Sequence, residues 1–283
     1  MSCELVSRAQ LRDLEPHAAG IGGILVHDTG IVDYKQVCAK LVNNLRERGC
    51  EIRTGVRVHG LIEQPGAVTV RTDGEELQAQ VVVNCAGFHS DRVAKLGDNP
   101  APAAIIPFRG EYYALKPAMK HLCRNLIYPV PDPQFPFLGV HFTRMIDGSV
   151  ECGPNAVLAF AREGYRKTDV DLRDLAEIVA YPGFFHLARR HWRMGMGEMW
   201  RSWNKAAFVR ALQRLMPEIT AEHLDPAPAG VRAQAITPDG KLLDDFAFSE
   251  TRRVVHVVNA PSPAATASLS IGEFVGAKVA ERF

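Results

Sequence analysis

The chain has 283 residues, enough for about two domains or one large α/β unit. Apolar residues make up 47% and charged residues 23%, which argues against intrinsic disorder. The 33 basic and 32 acidic residues leave a net charge of +1, so the summed charge makes no case for nucleic acid or an anionic membrane as partner.

Apolar runs such as 81–83 and 254–258, with His256 inside the second, are far too short to span a bilayer. No basic stretch followed by an apolar run opens the chain, so no signal peptide is expected. Cys3, Cys38, Cys50, Cys85, Cys123 and Cys152 are scattered without a C-x-x-C pair. That spacing suggests neither a metal site nor a disulfide framework, and the expectation is a reduced, cytoplasmic chain.

Residues 1–20 read as a polar helical edge ending in the glycine cluster Gly20, Gly22 and Gly23. A helix follows, with Asp33 as N-cap and Gln36 three residues on, a capping-box pattern. Val37, Leu41 and Leu45 form its apolar stripe, and Gly49 ends it. From there the period changes to two: 51–54, 56–58 and 68–72 read as strands, with a turn at Asp73 and Gly74 and another strand through Leu77 and Ala79. Residues 81–83 read as a strand apolar on both faces that stops at Ala86 and Gly87.

Prolines cluster from residue 100 to 136, with aromatic-rich strands expected at 108–115, 126–128 and 137–143. Residues 170–216 read as helical: Leu172, Leu175, Ile178 and Val179 make one apolar stripe, and Phe208, Leu212, Leu215 and Met216 another. His186, His191, Trp192, Trp200 and Trp203 are assigned to helix surface and core. Residues 225–230 read as a linker. A final strand pair brackets Asp239 and Gly240 and ends at 254–258. A last helix is expected from Ala264 to about Ala280, with Ser262 as N-cap and Pro263 in its first turn. The segments expected are 1–98, 99–225 and 226–283, the middle one mainly antiparallel.

Four places offer chemistry. The small residues of 259–266, placed between a buried strand and a helix start, suit an anion or a carbonyl-rich ring; the plainer alternative is a packed strand–helix joint. Arg232, in an otherwise apolar strand, can hold a carboxylate through two parallel hydrogen bonds, or pair with Asp244 or Asp245. Tyr112, Tyr113, Tyr128 and His141 can line a pocket, with His141 the candidate base, or simply pack a sheet. Arg109 and Arg144 suit a negatively charged substrate, or a solvated surface. There is no G-x-G-x-x-G, P-loop, H-E-x-x-H or G-x-S-x-G pattern.

Several strings carry a resemblance: PFRGEY at 107–112, IYPVPD at 127–132, PFLGVHFT at 136–143, GPNAVLAF at 153–160, REGY at 162–165, AGVRAQ at 229–234, PDGK at 238–241 and NAPSPAAT at 259–266. In this order the chain resembles FAD-dependent oxidoreductases of the D-amino-acid-oxidase/glycine-oxidase type, and among them the L-2-hydroxyglutarate oxidase/dehydrogenase group. The resemblance implies a mixed α/β fold: an FAD-binding three-layer α/β domain interleaved with an antiparallel-sheet substrate domain. It implies oxidation of L-2-hydroxyglutarate to 2-oxoglutarate by hydride transfer to flavin, with electrons passing to oxygen or quinone. The alternatives are another small hydroxy or amino acid as substrate, or a non-catalytic remnant.

Carried over position by position, the resemblance puts the adenine end of FAD at Val58, the dinucleotide at Cys85, Ala86 and Gly87, and the flavin ring at Asn259, Ala260, Pro261, Ser262, Pro263, Ala264, Ala265 and Thr266. It puts the substrate carboxylate at Arg232, with Arg109 or Arg144 for the distal one, Tyr112 and Tyr128 as walls, and His141 as base. The family's first strand–glycine turn–helix has no counterpart in this sequence. A chain lacking that segment is therefore expected to leave a parallel-sheet edge unpaired. The acceptor implied leaves room for peripheral contact with the inner membrane, without a transmembrane segment.

Overall fold

A computed structural model describes residues 2–97, 101–130, 139–261 and 263–283. The chain starts with β1 (Cys3–Ser7), α1 (Arg8–Leu14), β2 (Gly22–Val26) and α2 (Tyr34–Glu47). Next come β3 (Val58–Glu63), β4 (Val68–Thr72), β5 (Glu76–Ala79), β6 (Val82–Asn84) and α3 (Ser90–Ala94). The long strand β7 (Ala104–Leu115) leads to β8 (Leu126–Ile127), β9 (His141–Arg144), β10 (Val150–Gly153) and β11 (Val157–Leu158). Three helices, α4 (Leu172–Ala180), α5 (Pro182–Trp203) and α6 (Lys205–Leu212), precede β12 (Leu224–Ile236), β13 (Ala247–Glu250), β14 (Val254–Asn259) and α7 (Ser268–Ala280).

The chain divides into two interleaved units. The first comprises Met1–Cys38, Arg109–Leu158 and Trp192–Gly230; the second comprises Ala39–Phe108, Ala159–His191 and Val231–Phe283. In the first unit β8, β9, β10 and β7 form consecutive antiparallel pairs. Cys152 stands opposite Phe142 and Tyr113, and Val150 opposite Arg144. Opposed residues share a face, so one face of the sheet carries Phe142, Val150 and Cys152. Phe208, Leu212 and Met216 close over that face as the core. The Asn204 side chain caps α6 by accepting from the Ala207 N–H at 3.1 Å. Glu15, 4% exposed, accepts hydrogen bonds from the Arg124 and Asn125 N–H groups and fixes the end of α1 in this unit.

In the second unit β3, β4 and β5 form the antiparallel meander that the alternating pattern predicts. A separate sheet has the order β13-β14-β6, antiparallel between β13 and β14 and parallel between β14 and β6. A buried ionic cluster ties this unit together. Arg162, 4% exposed, binds the Asp91 carboxylate through both terminal nitrogens. Asp91 Oδ2 also accepts from the Ile105 N–H at 3.1 Å. Asp174 accepts from the Arg162 N–H at 2.6 Å and from Arg92, which also binds Glu177.

The structure departs from the sequence expectations at several places. Residues 51–57 are not strand: Gly55 takes φ +71°, which breaks the alternation, and Arg53 is drawn to Glu51 and Glu75. Residues 225–230 are part of β12 rather than a linker. Pro226 and Pro228 lie two apart, so both missing N–H groups point to the same side of the strand. β6 is not buried on both faces, since Val83 is 38% exposed; among the described residues it is an edge strand paired with β14. In α4 only Ile178 of the expected apolar stripe is buried, while Leu172 and Val179 are exposed. Asp33 does begin α2, but it accepts from the Lys35 N–H and the Gln36 side chain instead of closing a capping box. The strand expected at 137–143 is seen from His141 on; residues 137 and 138, like Pro131, Pro133 and Pro136, lie outside the described residues.

Replacing Arg162 with methionine leaves Asp91 buried without its cation. The expected loss is about 3–5 kcal/mol of unfolding free energy, measured by urea denaturation. Arg173→Met, which breaks only an exposed pair with Glu177, is expected to cost less than about 1 kcal/mol.

Candidate active site

In the first unit the sheet face opposite the core holds three of the residues singled out from sequence. Gly153 stands opposite His141, and the next residues along the same pairing put Tyr112 beside Gly153. Tyr128 follows β8 and stacks on His141, ring centroids 4.2 Å apart. The row across the face is therefore Tyr112, Gly153, His141 and Tyr128. Gly153 has φ +145°, and a Cβ there would stand 2.8 Å from the Glu111 carbonyl oxygen and 3.0 Å from the Tyr112 ring. Only glycine fits, and its missing side chain leaves a floor between the tyrosine and the histidine.

His141 Nδ1 lies 3.4 Å from the Gly139 carbonyl oxygen, which can only accept. The proton is therefore on Nδ1, and Nε2 is the basic position of the ring. Burial pushes the His141 pKa below its usual 6.5, with the Gly139 carbonyl opposing. The imidazole is neutral at physiological pH and able to take a proton from a hydroxyl.

Arg109 and Arg144 are not on this face. Arg144 stands opposite Val150 on the core side and reaches the Cys123 carbonyl at 3.3 Å. Arg109 is 4% exposed and donates to Glu111 at 3.0 Å. Glu111 also accepts from the Ser202 hydroxyl and the Asn155 amide, so a buried polar network surrounds it. Tyr113 is on the core side as well, with its ring edge-on to Phe208.

In the second unit the parallel pairing of β6 and β14 ends where β6 does, with Asn84 opposite His256, and β14 runs on to Asn259. Both candidate cofactor segments leave from these carboxyl ends, the edge at which open α/β sheets bind ligands. Cys85, Ala86 and Gly87 are exposed; Gly87 has φ +54°, and no atom lies within 4 Å of where its Cβ would stand. Ala260, Pro263, Ala265 and Thr266 are exposed too, while Pro261 and Ala264 are partly so. Ser262 lies outside the described residues. The helix starts later than expected, at Ser268, without a side-chain cap; residues 263–267 form a turn instead, the Ala267 N–H bonding the Pro263 carbonyl at 3.1 Å. The two open segments of small side chains and exposed backbone suit a dinucleotide such as FAD. Val58 packs with Val82 and Val254, at the opposite, amino-terminal ends of the same strands. Arg232 is half-buried on β12, on the face away from Ala233 and Ala235, which pack into a core with Ile105.

A polar lock that the sequence reading did not single out holds the two strand ends. The Ala86 N–H donates to Asn84 Oδ1 at 3.0 Å, which fixes the orientation of that amide. Asn84 Nδ2 then donates to the Ser90 carbonyl at 2.9 Å and to His256 Nδ1 at 3.0 Å. His256, 1% exposed, is held in its neutral form, and burial lowers its pKa. Ser90 donates to the Val258 carbonyl at 2.9 Å. Asn259 ends β14 by donating to the Leu243 and Asp245 carbonyls. The signal was visible as polar residues inside apolar strand runs, Asn84 after 81–83 and His256 within 254–258.

A family model described as FAD dependent oxidoreductase (DAO) matches residues 1–277. The chain belongs to this family. Its mixed α/β fold is that of DAO-type enzymes, whose cofactor is FAD. Three relatives are called L-2-hydroxyglutarate dehydrogenase. The Indibacter alkaliphilus protein is 48% identical over 275 residues, covering 97% of this chain and 69% of that protein. The Escherichia coli K12 protein is 47% identical, covering 98% and 66%. The human mitochondrial protein is 42% identical, covering 99% and 64%. The chain thus spans about two thirds of the length of these relatives. Among solved structures, an L-α-glycerophosphate oxidase from Mycoplasma pneumoniae with FAD bound superimposes with a TM-score of 0.71 at 17% identity, covering 95% of this chain and 62% of that one. Glycine oxidase from Bacillus cereus gives 0.65 at 11% identity, covering 99% and 66%. These two show the fold alone.

His141 is expected to titrate below 6.5 when its ring protons are followed by NMR. The unfolded chain binds more protons than the folded one between the lowered pKa and 6.5. This contribution to stability is therefore complete above pH 6.5 and is lost as pH falls through that window. Tyr128→Ala removes the stacked ring, rehydrates the imidazole and is expected to bring its pKa back toward 6.5.

Proposed function

We propose that the chain serves FAD-dependent oxidation of L-2-hydroxyglutarate to 2-oxoglutarate, with oxygen or a quinone as final electron acceptor. The observation that carries the reading is the 42–48% identity, over nearly the whole of this chain, to proteins called L-2-hydroxyglutarate dehydrogenase. Peripheral contact with the inner membrane from the cytoplasmic side belongs to the same proposal.

Cys85, Ala86, Gly87 and the segment from Asn259 to Thr266 would hold the cofactor, with Val58 toward its adenine end. FAD, when bound, supplies the two-electron acceptor for the hydrogen at C2. His141 accepts the proton of the 2-hydroxyl at Nε2. Tyr112 and Tyr128 bound the floor at Gly153 and orient the substrate through their hydroxyls. Arg232 binds the C1 carboxylate in a two-point contact that a lysine cannot reproduce. The stacked Tyr128 ring excludes water from one face of the base and keeps it neutral.

The test starts with gel filtration of the chain in FAD, reading retained flavin absorbance, followed by bleaching of that absorbance on adding L-2-hydroxyglutarate. Bleaching by the dicarboxylate and not by 2-hydroxybutyrate is the expected result; the reverse preference would defeat the substrate assignment. Arg232→Lys should lower kcat/KM by about 10–100-fold, the cost of one charged hydrogen bond. His141→Gln should lower kcat by about 100-fold or more. If both variants keep full activity, the roles given to these residues are wrong.

A further inference from the structure

Both β10 and β11 pair with β7, and residues 154–156 between them belong to no strand. These residues lie against β7 at Gly110, where a Cβ would stand 2.9 Å from Pro154 Cβ and 3.4 Å from the Asn155 carbonyl oxygen. Gly110 and Tyr112 are two apart on the strand and share its face. The segment after Gly153 therefore borders the row of Tyr112, Gly153, His141 and Tyr128. Gly153 has no side chain to hold it in that row. Its place is set by Cys152 in the ladder before it and by what anchors the residues after it.

The anchor is a clamp built on Glu111. Asn155 Oδ1 accepts from the Glu111 N–H at 2.8 Å, where a regular ladder would use a backbone carbonyl. Asn155 Nδ2 donates to Glu111 Oε2 at 3.0 Å, so one amide binds both the backbone and the carboxylate of the same residue. Glu111 Oε1 accepts from the Ser202 hydroxyl at 2.8 Å and from Arg109 at 3.0 Å. One turn before Ser202 on α5, Glu198 accepts from the Ala156 N–H at 3.3 Å. Arg109, Asn155, Glu198 and Ser202 are all buried, whereas Trp192, Trp200 and Trp203 on the same helix are exposed. A buried polar group that loses its partner keeps its desolvation cost, so each bond restricts where its partners can sit. We infer that Asn155 and Glu111 are positioning residues: by clamping the segment after Gly153 to β7, they set the gap between the Tyr112 ring and His141 in which the substrate is held. The role of that gap in binding substrate rests on the function proposed above, whereas the clamp itself does not.

NMR of the chain reads both. One Gly153 α-proton points where a Cβ would stand, 3.0 Å from the Tyr112 ring, and should give a strong nuclear Overhauser contact with it. Glutarate, a five-carbon dicarboxylate without the reacting hydroxyl, is the binding probe, followed by the shift of the His141 ring resonances. Asn155→Ala should erase the Gly153–Tyr112 contact and weaken glutarate at least about fivefold, the equivalent of one neutral hydrogen bond. Ser202→Ala, which takes a single bond from Glu111, should weaken both in the same direction and decides the matter if Asn155→Ala does not fold. Asn204→Ala removes the cap of α6 in the same unit; it should lower the thermal midpoint and leave contact and affinity unchanged. The clamp is overturned if the folded Asn155 or Ser202 variant keeps both contact and affinity, or if Asn204→Ala loses them equally. If the unaltered chain shows no glutarate shift, the substrate reading fails by itself, and the Gly153–Tyr112 contact alone decides the clamp.

Discussion

The guanidinium of Arg162, buried against the Asp91 carboxylate, commits three distant stretches of the second unit to one another. Asp91 belongs to α3, directly after the turn that follows β6, and its carboxylate also accepts from the N–H of Ile105, the second residue of β7. Arg162 donates to the Phe88 carbonyl as well, and its own N–H is taken by Asp174 of α4. A charge pair of this kind gives little net stability over a well-packed apolar substitute, because both ions lose their hydration. Its value is in what it forbids: no arrangement of α3, β7 and α4 that separates the pair avoids an uncompensated buried charge.

The position of the candidate cofactor segments follows from that commitment. Once α3 is fixed, Ser90 and Asp91 at its start are fixed, and so is the Gly87 turn before them. Asn84 and Ser90 then bind the end of β6 to β14 through His256 and the Val258 carbonyl. The residues after them are small and open to solvent on a rigid base. A neutral His256 serves this lock better than a charged one, since its Nδ1 must accept from the Asn84 amide. Rigid strand ends carrying exposed backbone are the arrangement in which peptide N–H groups and a flat ring can meet without reorganisation.

How much was legible depends on whether the signal was local. The meander strands β4 and β5 and the buried residues of α6 follow from residue spacing, and the structure has them. Burial on both faces of 81–83 could not be read, because it depends on what packs over each face of the sheet, and Val83 is 38% exposed. The linker at 225–230 failed because two prolines look like a break, whereas spaced by two in an extended strand they cost the same side twice. Tyr112, Tyr128 and His141 were chosen for chemistry alone, and strand register brings them to one face. Arg109 and Arg144 had the same chemical appeal, but parity sends them to the other side. Side-chain parity along a strand is visible in sequence; which parity faces the core is decided by pairing partners far away in the chain.

The exposed tryptophans show where summed properties mislead. A net charge of +1 says little about any one face, because electrostatics in physiological salt acts within a Debye length of about 8 Å, so the relevant sum is local. In α5 the acid that balances the arginines is turned inward, and its burial removes it from the outward field while leaving the total unchanged. The same helix period that assigned tryptophans to surface and core from sequence puts Glu198 on the arc opposite the indoles. Hydrophobicity alone would have buried the indoles, because the largest apolar side chains are normally the first to leave water. Here a buried place on the helix is taken by a carboxylate, its partners being Arg201 and a backbone N–H.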